Sequence, residues 1–148
     1  MSDKHVPVQV QVQVQVHVMR MPIRWGDMDA MGHVNNTVYF RYFEQARISW
    51  FDEVKAAPDP GGEGPVIVNA RCSFLKQLKY PGDIEVTTLV GPPGRSSFEM
   101  THEIRLVGAD GLAGPVYAEG GAKIVWVNFT AEKSVPLPDR IRGLLPAS

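Results

Sequence analysis

Trp25-Gly-Asp-Met-Asp-Ala-Met-Gly-His-Val-Asn-Asn-Thr-Val-Tyr39 sets two carboxylates, a glycine turn and a helix start side by side. Ahead of it, Met19 to Trp25 reads as the end of a strand. Behind it, Tyr39, Phe43, Ala46, Trp50 and Val54 recur at helical spacing. The residues able to carry chemistry therefore lie at a strand-to-helix junction. The first N–H groups of a helix have no intrahelical partner and carry the positive end of its dipole. They can receive an oxyanion, a contribution of about 2.7–4 kcal/mol per donor. Asp27 and Asp29 supply an anion to attack a carbonyl or to activate water.

Working back towards the N-terminus, Val6 to Val18 alternates valine with Gln9, Gln11, Gln13, Gln15 and His17. This two-residue period predicts a strand with a valine face and a polar face. Continued to Trp25 it would span roughly 66 Å at about 3.3 Å per residue. A globule of this length has a radius of gyration near 15 Å, so the strand has to bend, overhang or fray. The repeat maps onto itself after a two-residue shift, so its pattern cannot fix register. With Pro7 as its only breaker, residues 1–17 are read as a low-complexity strand extension that carries no chemistry.

Forward of the junction, Asn36 to Val54 is predicted as one helix, capped by Asn35 or Asn36. Val38, Phe40, Ile48 and Phe51 broaden its apolar face, as expected for a helix enclosed by sheet on more than one side. Ala56 to Pro65 holds Pro58, Pro60, Gly61, Gly62 and Gly64 and is predicted as a mobile loop, either a lid or a plain connection. Four strands follow, Val66 to Leu75, Ile84 to Val90, Ser96 to Val107 and Val116 to Phe129, separated by Pro-Gly and Gly-rich turns. In the third, Phe98, Met100, His102, Ile104 and Leu106 share a face built for burial. Residues 131–148 form a C-terminal tail. One strand, one helix and four strands without a repeated crossover helix give an α+β fold with a largely antiparallel sheet.

The bulk properties narrow the partners. A chain of 148 residues without a composition break reads as one domain. Its net charge of −1 gives no electrostatic reason to expect nucleic acid. The lone Cys72 excludes an intramolecular disulfide and fits a reducing compartment, which makes the cytoplasm the expected location. No segment has the length of a membrane span, and the N-terminal repeat lacks the continuous apolar run of a signal peptide.

Gly26-Asp-Met-Asp29, Gly32-His-Val-Asn-Asn36 and Tyr39 resemble the signature of the hotdog-fold acyl-CoA thioesterases of the 4-hydroxybenzoyl-CoA thioesterase type. The likeness extends to Tyr80-Pro-Gly-Asp83, Gly94-Arg-Ser-Ser-Phe98, Val125-Trp-Val127 and Val135-Pro-Leu-Pro138, and covers roughly residues 18–145. It implies a curved five-stranded sheet wrapped around one long central helix. It also implies a homodimer or tetramer with sites at the subunit interface, and hydrolysis of an acyl-CoA to a carboxylic acid and free CoA. Coenzyme A is then part of the substrate, and no separate cofactor or metal is expected.

By that resemblance Asp29, the second acid of the pair, is the catalytic carboxylate, against a bland role as a turn aspartate. The oxyanion donor falls on the backbone N–H of Asn36. His33 is a candidate to orient substrate or donate a proton, against simple hydrogen bonding. Gly32 permits a tight turn and close backbone approach, and with Asn35 it borders the substrate. Tyr39 and Phe43 set the pocket depth. Arg95, with Lys76 and Lys79, is a candidate for the CoA phosphates, and Ser96 or Ser97 for the pantetheine arm. Asp27 is given a supporting role. His102 reads as a core or interface histidine, and Cys72, in line with Val68, Ala70 and Phe74, as a small core residue. The four-residue spacing of Asp29 and His33 argues against a hydratase dyad, and His5, His17, His33 and His102 lack zinc-site spacing. The alternatives are a non-catalytic module that binds acyl-CoA or acyl carriers, and an oligomer-forming structural protein. The second leaves the Asp-Gly-His-Asn-Asn cluster unexplained.

Overall fold

A computed structural model describes residues 12–56, 59 and 61–147. Strand β1 (Val14–Pro22) leads through a single 3-10 turn at Trp25–Asp27 to helix α1 (Asn36–Glu53). Strands β2 (Glu63–Phe74), β3 (Asp83–Val90), β4 (Ser97–Val107) and β5 (Ala113–Asn128) follow, then the two-residue strand β6 (Lys133–Ser134) and the short helix α2 (Asp139–Arg142). All pairings are antiparallel. The order is β1-β3-β4-β5-β2, with β6 added to the end of β5, one strand more than the five expected. The sheet packs its inner face on α1 in the hotdog arrangement.

Two apolar clusters divide the interior along the helix. Tyr39, Tyr42, Phe43 and Ala46 of its first half meet Ile84, Val86, Ile104 and Ala118. Trp50 and Phe51 of its second half meet Val90, Phe98, Met100, Ala122, Ile124 and Trp126. Phe98, Met100, His102 and Ile104 of β4 are buried as their alternation predicts, whereas Leu106 is half-buried. At Gly120 on β5 a side chain would collide with the Arg71 carbonyl and stand 2.7 Å from the Phe43 ring, so only glycine lets helix and sheet approach this closely.

Three expectations change. In β1, a bulge between Gln15 and His17 inserts one residue and flips the parity of the repeat. His17, Met19 and Met21 turn towards the helix, whereas Val14 and Val18, on the expected buried face, are exposed. The Val/Gln repeat N-terminal to Val12 lies outside the described residues. Second, the predicted loop ends early, because β2 already begins at Glu63 and runs through Gly64 and Pro65. Proline is tolerated there because β2 is an edge strand. Third, Val68, Ala70 and Phe74 of β2 are exposed, and so is Ile48 of α1. The sheet stops at β2, so nothing among the described residues covers that flank of the helix.

Candidate active site

The segment between β1 and α1 folds back on itself before the helix begins. Met28 bridges Val34, the Asp29 N–H donates to the His33 carbonyl at 2.7 Å, and the Gly32 N–H donates to the Asp29 carbonyl at 3.1 Å. Gly32 adopts φ +81°, a conformation that costs glycine least, so its predicted turn role is realised. The loop is tied to the body by the Val34 N–H donating to the Leu78 carbonyl and the Asn35 N–H donating to the Asp27 carbonyl, both at 2.9 Å.

Asp29 is half-buried in this loop. Its Oδ1 accepts from the N–H of Met31 at 2.8 Å and of His33 at 3.3 Å. Its Oδ2 makes no hydrogen bond among the described residues. The turn role and a chemical role are thus divided between two oxygens of one carboxylate: one is fixed by the main chain, and the other is free.

Asn35, rather than Asn36, caps the helix, its Oδ1 accepting from the Thr37 N–H and hydroxyl, each at 2.9 Å. Asn36 is therefore the first helical residue, and its N–H is among those a helix leaves unpaired. It has no acceptor among the described residues. Asp29, His33 and Asn36 open on one cavity of about 580 Å³, whose other walls include Tyr39, Phe74 and Lys76. Met31, Val34, Leu75 and Gln77 complete its lining; sequence reasoning missed them because nothing local marks a residue as a pocket wall.

Tyr39 is a wall by its packing. It is 2 % exposed, its hydroxyl accepts from the Leu78 N–H at 3.1 Å, and its ring meets Phe74 edge-on at 4.9 Å. Burial raises its pKa, so the phenol is no proton donor of convenience. Phe43 stands deeper, stacked on His102 at 5.0 Å and outside this cavity. Asp27 serves support: its Oδ2 accepts from the Tyr42 hydroxyl at 2.7 Å and the Arg24 N–H at 2.8 Å. Burial, with the Asp27 carboxylate as acceptor, drives the Tyr42 pKa far above its ordinary value.

Of the candidate cations, Lys76 lies at the cavity with its amine 5.5 Å over the Tyr117 ring. Arg95, Ser96 and Ser97 sit at the other end of the sheet. Ser97 pairs with Val125, whereas Phe74 of the cavity pairs with Ala118, so the two places are roughly 23 Å apart at about 3.3 Å per residue. The Arg95 carbonyl accepts there from Arg142 and from the Leu137 N–H.

Other nucleophiles fit catalysis less well. Cys72 is half-buried, and burial pushes its thiol up to about 11. His17 links Ser49 and Glu53, with Nε2 3.0 Å from the Ser49 hydroxyl and Nδ1 3.0 Å from the Glu53 carboxylate. Ser49 lies inside α1, however, where the N–H groups are consumed by the helix and none can receive an oxyanion. That trio fastens β1 to the helix. Among the described residues no three His, Cys, Asp or Glu side chains converge as metal ligands, and no helix is long and apolar enough to cross a membrane.

The comparison with known proteins follows the same outline. The PA2801 protein of Pseudomonas aeruginosa superposes with a TM-score of 0.81 at 37% identity, over 88% of this chain and 98% of that one. The BH1999 gentisyl-coenzyme A thioesterase superposes with a TM-score of 0.75 at 25% identity, over 88% of this chain and 100% of that one. The protein YsmA of Bacillus subtilis (strain 168) is 25% identical over 140 residues, 95% of this chain and 92% of its own length. The family model of the thioesterase-like superfamily matches residues 23–145, a span that takes in the Asp29 loop, the whole helix and every strand from β2 onward. A shared fold, a matching core span and an acid set beside an open helix N-terminus come together here, and the chain belongs to the thioesterase-like superfamily.

Proposed function

We propose that the protein hydrolyses an acyl-CoA thioester to a carboxylic acid and free CoA, with Asp29 as the reacting carboxylate and the Asn36 N–H as oxyanion donor. The observation that carries this reading is that Asp29, with an Oδ2 unbonded among the described residues, and Asn36, with an N–H likewise unbonded, line one cavity. A thioester carbonyl lying between them gains a hydrogen bond as its oxygen becomes negative. Asp29 either attacks the carbonyl carbon, releasing CoA thiolate and leaving a mixed anhydride that water opens, or takes a proton from the attacking water. Both routes use the same two groups and need no added cofactor or metal. His33 lines the same cavity with a ring that has no partner among the described residues, which supports an orienting or proton-donating role. The likeness to the BH1999 gentisyl-coenzyme A thioesterase supports a CoA thioester as substrate.

A homodimer belongs to this proposal. The free edge of β2 presents Ile67, Val68, Phe74 and Leu75, each at least 40% exposed, beside the exposed Ile48 of α1. Antiparallel pairing of two such edges extends the sheet and turns these groups towards the seam between the subunits. It also opposes the ends of the two subunits, which carries Arg95, Ser96 and Ser97 of one towards the partner subunit's Asp29. That is the arrangement in which they can meet CoA. We place the protein in the cytoplasm, where the reduced Cys72 is at home.

The test follows thiol release from aliphatic and aromatic acyl-CoAs by the native protein and by Asp29→Asn. Turnover that collapses in the variant supports the assignment. Tight acyl-CoA binding without thiol release points to a binding module instead. Hydrolysis in heavy-oxygen water separates the routes: label entering Asp29 over repeated turnovers marks the anhydride, and label confined to product in a single turnover marks water attack.

A further inference from the structure

The groove between α1 and the free edge of β2 holds the Asp29 cavity at one end and a second cavity, of about 310 Å³, at the other. Ile48, Phe51, Pro65, Val66 and Ile67 make its walls apolar. Set among them is Arg47, only 9% exposed, with no ion pair and no hydrogen bond among the described residues. Glu44 stands at the rim, more than half exposed and paired with Arg41 at 3.4 Å. Burial lowers the Arg47 pKa, and the charge of Glu44 only partly offsets this.

Arg47 sets a guanidinium with no protein partner among the described residues against apolar walls, and a helix that needed only an apolar contact here would be served better by methionine or leucine. Its planar fork suits a carboxylate bound through two parallel hydrogen bonds. The cavity therefore fits a ligand with an apolar body and an anionic oxygen at its end.

We infer that this cavity receives the far end of the acyl group and that Arg47 selects acyl chains ending in a carboxylate, as in the mono-CoA thioester of a dicarboxylic acid. The inference rests on the dimeric thioesterase reading above. Within one chain Arg47 lies eleven residues beyond Asn36, roughly 16 Å at about 1.5 Å per residue, too far for a short acyl group. In the antiparallel pair the Arg47 end of one groove faces the Asp29 end of its partner's, and a short diacid can span the two.

The test compares hexanoyl-CoA with adipoyl-CoA, which share a chain length and differ in a terminal methyl or carboxylate. The native protein is expected to favour adipoyl-CoA by about tenfold or more in kcat/KM, the lower end of what a charge-assisted hydrogen bond contributes. Arg47→Met is expected to erase that preference, the loss falling on adipoyl-CoA and not on hexanoyl-CoA. Arg47→Lys, which keeps the charge but not the fork, should retain part of it and guards against a folding defect in the first variant. An equal loss on both thioesters, or a native preference for hexanoyl-CoA, overturns the inference. Calorimetric binding of both thioesters to Asp29→Asn, with and without Arg47→Met, separates it from the parent reading. A preference that depends on Arg47, found in a protein that hydrolyses neither thioester, keeps the pocket and overturns the hydrolase. Hydrolysis of both with no difference due to Arg47 overturns the pocket alone.

Discussion

Replacing Asp29 with asparagine and with alanine separates the two jobs of its carboxylate. Oδ1 accepts two main-chain N–H groups, from Met31 at 2.8 Å and His33 at 3.3 Å, and holds the turn that carries the site. An asparagine carbonyl can accept the same two bonds, so Asp29→Asn should unfold within about 0.5 kcal/mol of native. Alanine removes both. At about 1 kcal/mol for the short bond and less for the long one, Asp29→Ala should lose about 1–2 kcal/mol. For a chain of this size that lowers Tm by roughly 3–8 °C. Neither variant offers a nucleophile or base at Oδ2, and both should lose about 10²-fold to 10⁴-fold in kcat. Urea midpoints and thiol-release rates on the same preparations read the two effects independently. If Asp29→Asn keeps more than about a tenth of native kcat, far above the loss of even a modest base, Asp29 is not the reacting group. If Asp29→Ala is as stable as native, the turn does not depend on Oδ1.

Gly120→Ala should cost about 3 kcal/mol or more in a urea titration, because its Cβ meets the Arg71 carbonyl and comes 2.7 Å from the Phe43 ring. Gly26→Ala, with nothing within 4 Å, is its silent control. His102, fully buried and bonded to Thr88 at 3.0 Å, has its pKa pushed down to about 3, first by burial and then by the charge of Arg47. The unfolded chain binds this proton near pH 6.5. Stability is therefore complete above that pH and falls below it by up to about 1.4 kcal/mol per unit towards pH 3. Urea midpoints between pH 7.5 and 5 should fall more steeply for native protein than for His102→Gln, and equal slopes would remove His102 from the account. Cys72, with its thiol pushed up to about 11, should react with iodoacetamide at pH 8 about a hundredfold more slowly than after unfolding. Cys72→Ser should leave turnover intact.

How far the sequence could be read depended on how local each interaction is. The helix was legible to within one residue, because its period, its cap and its turn are set by neighbours along the chain. The inner face of β4 was legible for the same reason, with Phe98, Met100, His102 and Ile104 alternating against polar and charged residues. The candidate acid and the helix start are seven residues apart in one loop, so their meeting was foreseeable. The parity of β1 was not, because a bulge at Val16 depends on pairing with a strand some seventy residues away. Nor was the exposure of Val68, Ala70 and Phe74, whose apolar alternation reads as burial until β2 is seen to be the edge.

By itself, then, the sequence determined the α+β class, the long helix and the strand-to-helix junction that carries Asp29 and Asn36, since each follows from periodicity and short-range hydrogen bonding. Only the tertiary structure decided that Phe43 stacks on His102 instead of lining the Asp29 cavity, that Arg95 stands at the far end of the sheet, and that Arg47 lines a second cavity without an ion pair among the described residues. Those outcomes depend on which strands become neighbours. Sheet order is fixed by contacts between distant residues, and no local pattern encodes it.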